Sequence, residues 1–150
     1  MNGDGLKEII DFAVKKEQEA ADFYNDLSGK VELKALAEEL LKMARVEESH
    51  RDRLRNMDVS AYVASPVKPP IDLKIADYLI DKEPTPEMSW QDLVHIAMKR
   101  ELASMRLYTD LAKGTSDPQA RRLFENLAVE EEAHKLYFEK IWDEEIMTDN

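Results

Sequence analysis

The chain has no cysteine among its 150 residues. That excludes a disulfide framework, a thiol nucleophile and thiolate-held iron within these residues. Glycine and proline are scarce, at 4 and 6. The long stretches are written instead in Ala, Leu, Glu, Lys and Arg, a balance that points to an all-α protein. No apolar run approaches the roughly 20 residues that a membrane helix needs. The opening MNGDGLKEII lacks a basic stretch followed by an apolar one, so no signal peptide is visible and a cytoplasmic location is the expectation. Basic residues are outnumbered, and the formal net charge is −11. A nucleic-acid partner needs clustered Lys and Arg, and an anionic membrane surface repels acidic chains, so neither partner is expected.

Four long helical segments are legible, in two pairs, and 150 residues suit one domain. The first segment spans about Leu6 to Leu27, with Asp4 as N-cap and Gly29 just past its end. Ser28-Gly29-Lys30 leads into the second, which continues to about Met57; so short a link makes the two antiparallel. YVASPVKPP and KEPTPEM then interrupt helical structure, with a short extra helix expected in IDLKIADYLID between them. The third long helix opens at Ser89, with Asp92 as capping-box partner, and ends at Gly114. Asp117-Pro118 supplies an N-cap and first-turn proline for the fourth, which reaches about Trp142. The expected organisation is a helix pair over 1–57, a crossover over 58–88 and a helix pair over 89–145. Short loop, long crossover, short loop is the connectivity of a ferritin-like four-helix bundle.

The two pairs repeat one pattern. Glu17 and Glu101 stand 84 positions apart, as do Tyr24 and Tyr108, Glu47 and Glu131, and His50 and His134. Ala13 with Ala97, Leu27 with Leu111 and Ala44 with Ala128 share that offset. One register across so many positions points to an internal two-fold repeat of a helix pair.

Side chains three and four apart stack on one helix face. The apolar seam of the first helix reads Ile10, Ala13, Glu17, Ala20, Tyr24, Leu27, and that of the third Val94, Ala97, Glu101, Ser104, Tyr108, Leu111. The second reads Leu33, Leu36, Leu40, Met43, Glu47, His50, Leu54, Met57, and the fourth Ala120, Phe124, Leu127, Glu131, His134, Phe138, Ile141. Each seam therefore carries ionisable groups near its middle and no Lys or Arg. Buried carboxylates cost several kcal/mol each when uncompensated, and converging ones repel. Two divalent cations would neutralise four glutamates with both histidines uncharged. A single Glu-x-x-His says little, because helices of soluble proteins are rich in both residues. Two copies in register with two further seam glutamates form the ligand plan of two-metal carboxylate bundles. Glu17, Glu47, His50, Glu101, Glu131 and His134 are the expected metal ligands. Oxygen and imidazole donors suit iron or manganese and do not rule out zinc or cobalt; two irons are the expectation, with manganese or a mixed pair as alternatives. Tyr24 and Tyr108 lie seven residues from a proposed ligand on the same face, where a phenol could support a ligating glutamate. His95 and the arginines at 51, 53, 55, 121 and 122 read as surface residues, and the methionines as core filling.

The segments KEQEAADFY, VEESH, RELASMRLY and VEEEAH resemble those of the ferritin-like superfamily, and within it the rubrerythrin-like di-iron carboxylate proteins. The resemblance covers almost the whole chain. It implies Glu47 and Glu131 as bridging carboxylates, Glu17 and Glu101 as terminal ligands, and one histidine for each metal. It also implies a homodimer and an oxidoreductase that reduces dioxygen or hydrogen peroxide. Ferroxidase or iron handling without an organic substrate is the alternative, and a metal-stabilised structural or regulatory bundle a second. Two departures stand out. Ser104 occupies the place where rubrerythrins typically carry an extra metal-binding glutamate. The absence of cysteine leaves no rubredoxin-type domain in these residues, so electrons would come from an external donor protein.

Overall fold

A computed structural model describes residues 3–67 and 71–146 of the chain. Among the described residues five α-helices form: α1 Gly3–Ser28, α2 Lys34–Arg55, α3 Val59–Ala64, α4 Trp90–Lys113 and α5 Pro118–Ile141. A single 3-10 turn covers Ile75–Tyr78, and α5 runs on into a wider π-type turn at Trp142–Ile146. The protein is all-α; no strand forms among the described residues, which hold one isolated bridge between Pro66 and Thr115. Contacts divide the chain into two compact units that meet at Ala64 and Ser65.

In the first unit α1 packs along α2, and the short link makes the hairpin antiparallel. The buried stripe of α1 includes Leu6, Ile9, Ile10, Ala13, Tyr24 and Leu27, the three-and-four spacing of one helix face. Leu36, Leu40, Met43 and Leu54 answer it from α2. Such a side chain contributes about 1.5–3 kcal/mol when fully buried. The helix ends differ from the sequence expectation. Asp4 lies inside the first turn of α1, where its carboxylate opposes the helix dipole favourably, and is not the N-cap. The link covers residues 29–33, with Gly29 and Lys30 amides donating to Asp26 and Leu27 carbonyls. Leu33 is the extended residue before α2 and is 63% exposed, so it leaves the expected seam. Met57 likewise falls beyond α2, which stops at Arg55. The short α3 was not expected. Asp58 starts it, its side chain accepting from the Ala61 amide at 3.0 Å, and α3 docks on α1 with Tyr62 buried.

In the second unit α4 and α5 form the equivalent hairpin. Ser89 accepts from the Asp92 amide at 3.2 Å while Asp92 accepts from the Ser89 amide at 3.3 Å, the expected capping box. Asp117 caps α5 through the Ala120 amide at 2.9 Å, with Pro118 in its first turn. Described residues of the crossover fasten to this hairpin through Ser65, Tyr78 and Glu83. The Ser65 carbonyl accepts from the Ser116 amide and from the Thr115 hydroxyl, at 2.7 and 3.0 Å. Tyr78 donates to Asp110 on α4 at 2.6 Å. Glu83 pairs with Arg100 at 3.2 Å. Within 71–81 only the 3-10 turn is helical, rather than the whole expected segment; Tyr78 is its buried anchor.

Two consequences can be measured. Ser89→Ala removes one half of the capping box and lowers stability by about 0.5–2 kcal/mol in urea unfolding. Burial pushes the Tyr62 phenol from 10.0 up to about 12. The folded chain therefore keeps a proton that the unfolded chain releases in that interval. Stability present below pH 10 declines as pH rises through about 12, and Tyr62→Phe makes that decline shallower.

Candidate metal centre

Each hairpin brings together one glutamate from its first helix and a Glu-x-x-His from its second. In the first unit Glu17 comes from α1, and Glu47 and His50 from one face of α2. All three are buried, at 1%, 1% and 0% exposure. Their donor atoms lie within 4.8 Å of one another. His50 Nδ1 is 3.5 Å from Glu17 Oε2 and 3.7 Å from Glu47 Oε2. In the second unit Glu101 of α4 meets Glu131 and His134 of α5, at 2%, 1% and 8% exposure. These donors also lie within 4.8 Å of one another, and His134 Nδ1 is 3.6 Å from Glu101 Oε1. The sequence repeat is thus a repeat in space.

Those nitrogen–oxygen separations exceed the 2.7–3.2 Å of an ordinary N–H···O bond. Two atoms each about 2.0–2.2 Å from a shared cation, at a tetrahedral or wider angle, stand roughly 3.3–4.4 Å apart. The donors therefore fit a metal better than they fit each other. Charge argues the same way. Each cluster holds two carboxylates in an apolar seam, and among the described residues no Lys or Arg is buried. One divalent ion per cluster balances two carboxylates beside a neutral imidazole.

The surroundings fix this arrangement. Gln18 and Arg51, the chain neighbours of Glu17 and His50, join α1 to α2 through Arg51 Nη1 donating to Gln18 Oε1 at 2.6 Å. Arg51 also donates to Asp52 at 3.0 Å, which holds the Asp52 carboxyl below its ordinary range. Arg51 was read from sequence as a plain surface charge; it is half-buried and ties the helix pair together. Its one signal is adjacency to His50. Tyr24 and Tyr108 are each 1% exposed, and Tyr108 stacks on Phe124 at 6.3 Å. Ser104 is half-buried on α4. His95 is half-buried rather than on the surface, its ring 5.7 Å from that of Trp142.

Helical hairpins that each bury a Glu with a Glu-x-x-His define the ferritin-like class of carboxylate metal proteins. The family model described as Rubrerythrin matches residues 8–142. The chain belongs to the rubrerythrin family, a ferritin-like family whose members bind di-iron centres. No curated protein and no solved structure matches it. Among the described residues no helix is long and apolar enough to cross a membrane.

Glu47→Gln separates the metal from the fold. Removing one of two like charges in a dry cluster raises metal-free stability by about 1–3 kcal/mol. The same change reduces the stabilisation that added ferrous ion confers. Thermal unfolding with and without metal reads both effects, and they have opposite signs.

Proposed function

We propose that the six donors hold two metal ions, with iron as the physiological metal, and that the protein reduces dioxygen or hydrogen peroxide there. The observation carrying this reading is the pair of equivalent, buried Glu/Glu/His clusters in a chain of the rubrerythrin family. Glu17, Glu47 and His50 would hold one ion and Glu101, Glu131 and His134 the other. When bound, the reduced metal pair supplies the electrons and open coordination positions for an oxygen substrate.

The chain's own residues supply the setting. The imidazoles bind in their neutral form, so metal uptake competes with protons and weakens on acidification. Apolar seam residues such as Met43 and Phe124 exclude bulk water around the carboxylates. Tyr24 and Tyr108 hold ligating glutamates in position through their phenols. Electrons come from a separate donor protein in the cytoplasm. The iron-handling alternative uses the same donors, with ferrous ion as substrate rather than resident metal.

Peroxide consumption by iron-loaded protein distinguishes them. The proposal expects turnover with a chemical reductant and no free ferrous ion, and a loss of at least tenfold in Glu131→Ala, about 1.4 kcal/mol in barrier. Turnover that runs only while ferrous ion is supplied favours iron handling. Iron-loaded protein inert to both peroxide and dioxygen contradicts both readings.

A further inference from the structure

Residues of one hairpin have counterparts 84 positions away on the other, and beside the two clusters the copies differ. In the first hairpin Gln18 follows Glu17, Arg51 follows His50, and Arg51 Nη1 donates to Gln18 Oε1 at 2.6 Å. That bond spans α1 and α2 next to the donors, and both side chains are half-buried. Their counterparts are Leu102 and Lys135, which follow Glu101 and His134. A leucine accepts no hydrogen bond, and Lys135 turns along its own helix to Glu139 at 2.7 Å. Glu139 stands where the first hairpin has Arg55, so the charge that draws Lys135 away is reversed there.

Burial follows the same division. His50 is 0% exposed and His134 8%. Gln18 and Glu48 are half-buried, while their counterparts Leu102 and Glu132 are exposed. An apolar side chain thus lies in solvent where the other copy covers a polar one, the reverse of the usual preference. Ala133 and Leu136, also exposed, stand where the first hairpin has Ser49 and Asp52, which leaves this rim largely apolar. A groove of about 330 Å³ between α4 and α5 approaches the rim, with Met105 and Glu132 in its lining.

We propose that small neutral oxidants reach the donors beside His134, between Leu102 and Lys135, and that the Arg51–Gln18 bridge shuts the matching route beside His50. The inference rests on the oxidant-reducing reading above and names where that substrate enters. Rim chemistry sets the class. A hydrated cation crossing between Leu102, Ala133 and Leu136 gives up water for side chains that cannot replace it. Dioxygen and hydrogen peroxide carry no net charge and cross at far lower cost. Arg51 and Gln18 touch no substrate; they position the two helices so that one approach stays closed.

Deuterium exchange at the imidazole C2 carbon, read by mass spectrometry on the metal-free full chain, tests the route without any turnover. His134 should exchange about fivefold or more faster than His50. Leu102→Gln, Lys135→Arg and Glu139→Arg together copy the first hairpin and should slow His134 toward the His50 rate. Gln18→Leu with Arg51→Lys should speed His50, with helical circular dichroism unchanged in both variants. In iron-loaded, pre-reduced protein the triple variant should slow oxidation by hydrogen peroxide about threefold or more, at unchanged iron content. Equal exchange at His50 and His134, or a His134 rate that the copied bridge leaves untouched, overturns the inference. So does slowed exchange with unchanged peroxide oxidation, because the oxidant then enters elsewhere. Wild-type iron protein inert to both oxidants contradicts the functional reading and the substrate with it, and the exchange rates then decide the route alone.

Discussion

Four glutamates in the apolar seams of four helices are the constraint on which this structure turns. A carboxylate in such a place has three outlets: protonation, a buried cation from a side chain, or a metal. The seams offer no Lys or Arg, and in each hairpin the second helix sets a histidine three residues after its glutamate. The helices are long enough to hold these groups mid-length, with several turns of Leu, Ile, Phe and Tyr on either side. The apolar turns keep water out and fix the backbone, and the polar residues at the centre specify which helix faces meet. Stability and chemistry are thus divided along each helix, and the helix ends, with their caps and turns, serve the former alone.

The buried glutamate and histidine clusters were legible because they break the apolar pattern. A period of 3.6 predicts an apolar residue where Glu17, Glu47, Glu101 and Glu131 stand, and the shared offset removes ambiguity over Glu130 and Glu132 beside the last of them. The capping box at Ser89 and the Asp117-Pro118 start were readable for the same reason: each is a local rule acting on adjacent residues. What sequence did not disclose depends on tertiary packing. Leu33 matches the seam spacing, yet the backbone turns at that residue and leaves it in solvent. The segment 71–81 has helical composition, but its anchor is one hydrogen bond from Tyr78 to Asp110, and only a 3-10 turn forms around it. The short α3 is set by Asp58 capping and by Tyr62 docking, signals too small to outweigh the nearby prolines. Arg51 looked like any solvated charge until its reach to Gln18 was seen.

The duplicated hairpin also separates what is required twice from what is not. The clustered glutamates and histidines, the buried tyrosines and the helix faces around them are kept in both copies. The outer faces are free to diverge, and have. Ser104 and the lack of cysteine are the two places where these residues depart from what the resemblance implies.

The most direct measurement is the metal content of the protein purified without added metal, read together with the absorption spectrum of its oxidised form. Two irons per chain with the near-ultraviolet absorption of an oxygen-bridged ferric pair is the result expected. A fully folded, metal-free protein that takes up neither ferrous ion nor manganese would contradict the account at its centre.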